Sequence, residues 1–326
     1  MTFIRRLFAV TLIATAATSS TWAQGTPNWL PSKPVRIIVP IVGSTNDVLA
    51  RLVAPELQKT FGQPFVVENK PGAGGNIGAL EVSRAVPDGH TLLVGYNGPL
   101  AINVTLFDKM PYDPTKDLAP ITLAVKAPQY LVVNPAAGFT DVKDFIAKAK
   151  AEPARYSYGS VAMGSASHLT MEMMKSAAGF HMTHIPYRGA APAVTDLIAG
   201  NVQAGFFVPG NVQGFAKEGR LKLLASTGKK RFPSTPDVPT LAELGLKDFE
   251  ATSWIGFLAP PATPPGIINR YNEEIVRILR SPEMQKRLHE MEFEVIASSP
   301  KEFSDWIGTE IGRWGKIIKS TGAKVE

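Results

Sequence analysis

A strand, a polar loop and a helix follow one another between Val35 and Arg51, and this unit limits the folds open to the chain more than any other stretch. Val35 to Val39 is apolar and β-branched apart from Arg36, which suits a buried strand. Pro40 ends it, because a proline cannot donate to a central ladder. Gly43, Ser44, Thr45 and Asn46 then form a short polar turn. Val48, Leu49, Leu52, Val53 and Leu57 recur at helical spacing up to Gly62, where a helix would stop. The turn therefore delivers small hydroxyl and amide side chains to a helix N-terminus. Free backbone N–H groups and the positive end of the helix dipole lie there, and both suit an anion. Ser, Thr and Asn are also ordinary helix caps, so this stretch alone leaves capping and ligand binding both open.

The same alternation continues along the chain. Strands are expected at Phe65 to Val67, Thr91 to Gly95, Tyr130 to Val133, Tyr156 to Tyr158, Met182 to Ile185, Ala204 to Val208 and Leu221 to Ser226. Between them fall helical patterns at Asn76 to Ala85, at 142–149 with Thr140 as its cap, at 168–178, and at 191–199 up to Gly200. Strands alternating with helices predict parallel sheets covered on both faces, and their number over this length predicts two lobes. The C-terminal part is more helical. Thr263-Pro264, Ser281-Pro282 and Ser299-Pro300 each put a capping residue before a proline, and Glu302 completes a capping box with Ser299. Phe303, Trp306, Ile307, Ile311, Trp314 and Ile318 form an apolar stripe suited to packing on the chain's own core.

Arg5 and Arg6 precede an apolar run from Leu7 to Ala17, followed by Thr21-Trp22-Ala23. This reads as a secretory signal peptide over 1–23, the run being too short for a membrane span, so the mature chain is expected to begin at Gln24 in the periplasm. There is no cysteine, which excludes thiol nucleophiles, thiolate metal sites and disulfides. The formal charge of +6 includes the two signal arginines, and the remaining basic residues are scattered, with no stripe for nucleic acid.

Three further loops resemble the first in lying between a strand and a helix. Pro71 to Gly78 falls short of the dinucleotide fingerprint, because Ile77 stands where its third glycine belongs and no acidic strand end follows about twenty residues on. What remains is a glycine-rich turn whose N–H groups can approach a ligand, with Asn76 expected to cap the helix. Ser160 to His168 carries Ser165, Ser167 and His168, but a nucleophile elbow needs glycine where Met163 and Ser167 stand. His168, His181, His184 and the acids show no metal-ligand spacing, and no cofactor is expected. Pro186 to Ala191 offers Arg188 as a carboxylate partner. In open α/β sheets, ligands sit at the carboxyl ends of strands. Four polar loops at such ends, two in each half, describe a cleft with many neutral donors and few acids or bases, which favours binding over catalysis.

Across essentially the whole mature chain the sequence resembles the Bug family, the extracytoplasmic receptors of tripartite tricarboxylate transporters. The resemblance rests on stretches such as PVRIIVP, STNDVLARLVAPEL, VVENKPGAGGNIGA, PDGHTLL, MPYDPTKDLAPIT, YGSVAMGSASHLTMEMM, HIPYRGAAPAVTDLIAGNVQAGF, PDVPTLAELGL and SWIGFLAPPATP, in this order. It implies two Rossmann-like lobes of the type II periplasmic binding protein architecture, joined by two crossing strands, with the ligand cleft between them. It also implies that the loops at 43–47 and 72–76 hold a ligand carboxylate, and that the second lobe contributes 160–168 and 187–190. Two departures stand out. GSTND has one glycine where the family has a pair, so Ser44 and Thr45 offer hydroxyls where backbone usually serves. Val208 stands near a position that often carries an acid able to pair a ligand amino group.

The expected protein is thus a periplasmic solute-binding receptor, not an enzyme, that captures a small carboxylate or dicarboxylate, aromatic acids included, by lobe closure. Domain one is expected at 24–124 plus 252–326 and domain two at 125–251, in a monomer that meets the membrane components of a transporter or a sensor kinase. The expected ligand-binding residues are Gly43, Ser44, Thr45, Asn46, Gly74, Gly75, Asn76, Asn97, Gly164, Ser165, Ser167, His168, Arg188, Gly189 and Phe207. The alternatives are an exported hydrolase built on Ser165 and His168, a nucleotide-dependent enzyme, or a ligand sensor.

Overall fold

The computed structural model describes residues 29–323, with 233 and 248 excepted. The expected signal peptide and the start at Gln24 lie outside the described residues. The first lobe opens with β1 (Val35–Val39), α1 (Thr45–Phe61), β2 (Phe65–Asn69), α2 (Asn76–Ser83), β3 (Thr91–Tyr96), α3 (Asn103–Leu106) and β4 (Ala119–Pro128). The chain then crosses into the second lobe. There it forms β5 (Tyr130–Val133), α4 (Val142–Ala151), β6 (Ser157–Ser160), α5 (Ala166–Ala178), β7 (Thr183–Pro186), α6 (Ala190–Ala199), β8 (Ala204–Phe207), α7 (Pro209–Lys217) and β9 (Lys222–Ser226). It returns through β10 (Thr252–Ala259) and finishes with α8 (Pro265–Leu279), α9 (Pro282–Glu290), β11 (Glu294–Val295) and α10 (Pro300–Thr321).

Each lobe is a twisted sheet with helices on both faces. The sheet orders are β11-β4-β10-β3-β1-β2 and β7-β6-β8-β5-β9. β1 pairs in parallel with β2 and β3, and β6 with β7 and β8, as the alternation predicts. The sheets are nevertheless mixed, which corrects the expectation of parallel sheets. β10 runs antiparallel to β3 and β4, and β5 runs antiparallel to β8 and β9. The antiparallel members are the strands next to the lobe crossings, where the chain enters a sheet from the opposite end.

Alternation of side chains gives each sheet two cores. In β1, Val35, Ile37 and Val39 pack with α1 and α8, whereas Ile38 packs on the other side with Leu93, Phe303 and Trp314. The C-terminal stripe is thus core, with Ile307 and Ile318 buried beside Phe303 and Trp314. The Ser299–Glu302 capping box forms as expected. Three cap assignments differ, one of them, at α2, within the site described below. Asp141, not Thr140, caps α4, because its carboxylate accepts from the Asp144 N–H at 2.8 Å. α8 starts after Pro264, and the Thr263 hydroxyl turns back to the Pro260 carbonyl.

The lobes meet where three segments touch. Gln129 N–H donates to Thr227 Oγ1 at 2.8 Å, Thr227 N–H donates to the Gln129 carbonyl at 2.8 Å, and Ala251 N–H donates to the Thr227 carbonyl at 3.2 Å. One residue, Gln129, separates β4 of the first sheet from β5 of the second. That brevity holds the lobes close while leaving few dihedrals to redirect them.

Candidate functional site

The carboxyl ends of β1, β3, β6 and β8 face one another across the lobes. Two adjoining spaces lie between them, both lined by Ile41 and Val161. The outer one, about 560 Å³, is lined by Gly74 and Gly75 from the first lobe and by Met163 and Arg188 from the second. The inner one is about 50 Å³ and is lined by residues of both lobes. A space that small puts any occupant against both lobes at once.

Four helices begin at the inner cavity. Ser44, Thr45 and Asn46 belong to the start of α1, Ser165 to Ser167 to the start of α5, Ala190 to α6, and Val208 and Asn211 to α7. Each terminus presents N–H groups without an intrahelical acceptor and the positive end of a dipole. Among the described residues, the N–H groups of Thr45, Asn46 and Asp47 have no acceptor within the protein. Asn46 is 5 % exposed, and its Nδ2 has no hydrogen-bond partner. A buried amide donor without an acceptor is costly, so this donor calls for an acceptor from outside the chain.

The residues lining the inner cavity include no Asp, Glu, Lys, Arg or His. The nearby acids are engaged elsewhere. Asp47 pairs with Arg51 at 3.1 Å and accepts from Asn69 Nδ2 at 2.9 Å. Glu68 takes a two-pronged bond from Arg36, both prongs 2.8 Å, which holds its carboxyl below the usual range. The cavity therefore attracts anions through dipoles and neutral donors, without a cation.

The sequence-derived site residues divide into three groups. Ser44, Thr45, Asn46, Asn97, Ser165, Ser167 and Phe207 line the inner cavity. Gly74, Gly75 and Arg188 line the outer space, where Arg188 is exposed. Gly43, Asn76, Gly164, His168 and Gly189 line neither. Asn76 is not the cap of α2. It is the first helical residue, and its Oδ1 accepts from Asn103 Nδ2 at 2.7 Å and from the Tyr112 hydroxyl at 3.2 Å. Asn97 reaches the cavity but spends its amide on β10, donating to the Thr252 carbonyl and accepting from the Trp254 N–H, both at 3.0 Å. Phe206 and Phe207 are both buried, on opposite faces of β8, and both touch the inner cavity. Gly43, Gly164 and Gly189 have positive φ, and the last two shape the contact between the lobes. A Cβ on Gly164 would strike Asn103 Oδ1, and one on Gly189 would lie 2.5 Å from the Val42 carbonyl oxygen.

Ser165 and His168 do not form a catalytic pair. The Ser165 hydroxyl donates to the Ala162 carbonyl at 2.6 Å, lies 2.9 Å from Ser167 Oγ and accepts from the His168 N–H. The His168 ring accepts the Gly164 N–H on Nδ1 at 3.3 Å. It stacks on His184, centroids 4.1 Å apart, and His184 stacks on Tyr158 at 4.8 Å. His168 thus supports the α5 turn from behind and does not enter the cleft.

This stack has a consequence for stability. Burial lowers His168 to about 4 and His184 to about 3, with Lys175 also disfavouring charge on the first and His168 on the second. Both stay neutral in the folded state well below the unfolded value of about 6.5. Their contribution is therefore complete above that value and is lost as pH falls towards 4. Each should cost about 1.4 kcal/mol per pH unit within that window. Urea denaturation at pH 7 and pH 5 should show this loss, and H184F should reduce it. An equal loss in H184F would refute the assignment.

Sequence reasoning missed Asn211, Ser253, Trp254 and Gln129, all of which line the inner cavity. Helix α7 was not expected, since Gly210 and Gly214 weaken its helical pattern. Its one signal was Pro209, which occupies the first helical position.

Comparison with known proteins gives concordant results. Residues 49–323 match the family described as tripartite tricarboxylate transporter family receptor. The structure of Rpa4515 from R. palustris with adipate is similar with a TM-score of 0.87 and 34% identity, covering 90% of this chain and 99% of that one. MatC (Rpa3494) from Rhodopseudomonas palustris with bound malate gives 0.85 and 31%, over 89% and 100% of the two chains. The periplasmic binding protein BugD gives 0.86 and 31%, over 91% and 100%.

Proposed function

The chain belongs to the tripartite tricarboxylate transporter receptor family and is a periplasmic solute-binding protein, not an enzyme, and from that premise we propose that it captures a small dicarboxylic acid by closing its two lobes on it. The observation that carries this reading is the inner cavity: shared by both lobes, lined by no charged side chain, entered by four helix N-termini, and holding the unpartnered Asn46 Nδ2. Carboxylate oxygens accept from such donors in charge-assisted bonds about twice as strong as neutral ones. Rpa4515 with adipate and MatC with malate are relatives of the same fold, which supports a diacid here.

An amino-acid ligand fits less well. Val208, near the position where the family often carries an acid, lines the cavity as an apolar side chain, and Asp47 and Glu68 are already paired. An ammonium buried among helix N-termini would be unpaired and costly. Tyr96, Phe206 and Phe207 line the same space and give aromatic diacids apolar surface to contact. The moving bodies are taken as 24–124 plus 252–326 and 125–251, turning about the junction at Gln129, Thr227 and Ala251. The filled, closed form is then read by the membrane components of the transporter.

A thermal-shift screen with mono-, di- and tricarboxylates and amino acids tests the reading. A diacid at a hundred times its dissociation constant should add about 2.7 kcal/mol of stability. A response confined to amino acids would overturn it.

A further inference from the structure

The polar side chains of the inner cavity differ in whether they are still available, and that difference indicates which of them read the ligand. Most are committed to the protein. Asn97 holds β10, Tyr96 donates to the Gly74 carbonyl at 2.9 Å, and Ser165 and Ser167 bond within their own loop. Gln129 Nε2 donates to Thr170 Oγ1 at 2.9 Å. Among the described residues, Thr45, Asn46 and Ser253 of the first lobe and Asn211 of the second line the cavity and make no side-chain hydrogen bond within the protein, and of these Asn46 Nδ2 is a fully buried orphan donor.

Asn211, half-buried, is thus the second-lobe lining residue whose amide makes no hydrogen bond within the protein among those described. It lies in the first turn of α7, where its own N–H donates to the Val208 carbonyl at 3.0 Å. Pro209 has no N–H to offer, so the Gly210 N–H and the Asn211 amide are what this helix end presents to a ligand. Asn46 is its counterpart on α1, nine-tenths buried with an orphan donor. We propose that Asn46 and Asn211 are paired amide readers on opposite lobes, Asn46 for one carboxylate and Asn211 for a second carboxylate of the same ligand, so that Asn211 determines the preference for diacids. This inference rests on the carboxylate reading of the cleft and deepens it. Asn can also accept through Oδ1, but the positive end of α7 disfavours a distal ammonium there. A distal methyl group would leave the Asn211 amide desolvated and unpaired.

The test titrates two matched series, straight-chain diacids from succinate to adipate and monoacids from butyrate to hexanoate, into the wild-type protein, N211L and N211D by calorimetry. Asn211 holds no partner, so both variants should fold with the wild-type unfolding midpoint. The wild type should bind its best diacid at least about tenfold more tightly than the matched monoacid. N211L should lose about that factor for the diacid and change less than about twofold for the monoacid. N211D should weaken the diacid further, because a like charge then faces the distal carboxylate. Equal wild-type affinity for the two series, or an equal loss for both in N211L, would overturn the role of Asn211 while leaving carboxylate capture standing. Binding of neither series by the wild type would overturn both.

Discussion

N46D is expected to abolish capture of carboxylates while leaving the fold intact. The replacement is isosteric, and Asn46 bonds to no other side chain that the change would break. The new carboxylate would sit in the first turn of α1, where the helix dipole stabilises it by about 0.3–1 kcal/mol. It would also occupy the donors that a ligand carboxylate needs. Bringing a second carboxylate into the same small cavity then sets like charges together, at a cost of several kcal/mol. Affinity for the diacid that best stabilises the wild type should fall by about a thousandfold or more, since each 1.4 kcal/mol is a factor of ten. Without ligand, the unfolding midpoint should be unchanged or slightly raised. Calorimetry and thermal unfolding measure both, and a variant that still binds the diacid within tenfold of wild type would contradict the role given to α1.

G189A should cost affinity by a different route. Val42 of the first lobe bridges to Gly189 of the second, and a Cβ at Gly189 would lie 2.5 Å from the Val42 carbonyl oxygen. Backbone cannot step aside as a flexible side chain can, so this approach of the two lobes is penalised directly. Overpacking of this kind costs about 1–3 kcal/mol, which corresponds to roughly a tenfold to hundredfold weaker apparent affinity. The glycine also has φ +146, so some destabilisation of the second lobe is expected as well. G179A separates the two effects. Gly179 has φ +67 with no neighbour within 4 Å of an added Cβ, so it carries the backbone strain without the lobe contact. G189A should bind more weakly and stay more open in small-angle scattering at saturating diacid, whereas G179A should do neither. Equal behaviour of the two variants would show that the Val42–Gly189 contact does not govern closure.

The sequence disclosed those parts of the fold whose determinants are local. β1, the turn at Ser44 and α1 were legible because an apolar β-branched run, a polar turn and a helical repeat occur in succession and end at Gly62, which adopts φ +72. The capping box at Ser299 and the buried face of α10 were legible for the same reason. β4 and β10 were not read as strands. β4 carries Pro120, Lys126 and Pro128, and β10 carries Gly256 opposite Phe303, features that dilute a strand pattern until tertiary contacts are known. β10 makes the first sheet mixed, whereas in the second it is β5, legible as a strand but not in its direction, that runs antiparallel.

The site was legible loop by loop, but the direction of each side chain was not. Ser44, Thr45, Asn46, Ser165 and Ser167 reach the inner cavity because helix N-termini point there. Asn76 and His168, chosen on the same grounds, turn into the protein because Asn103 and Tyr112 claim the first and the Tyr158–His184 stack claims the second. Ser253 lies on a strand that no local pattern marks, and Asn211 on a helix signalled by Pro209 alone. Which polar groups remain free is a property of the assembled hydrogen-bond network, and a single sequence does not display it.

On the proposed function, this cleft recognises carboxylate charge through neutral donors and helix ends. Calorimetric titration of adipate and malate against their diamides, adipamide and malamide, tests it most directly, because each pair differs at the groups the donors are said to contact. The acid of at least one pair should bind with its diamide weaker by about a hundredfold or more, two charge-assisted contacts being lost. Equal affinity for acid and diamide, or preference for the diamide, would contradict the account.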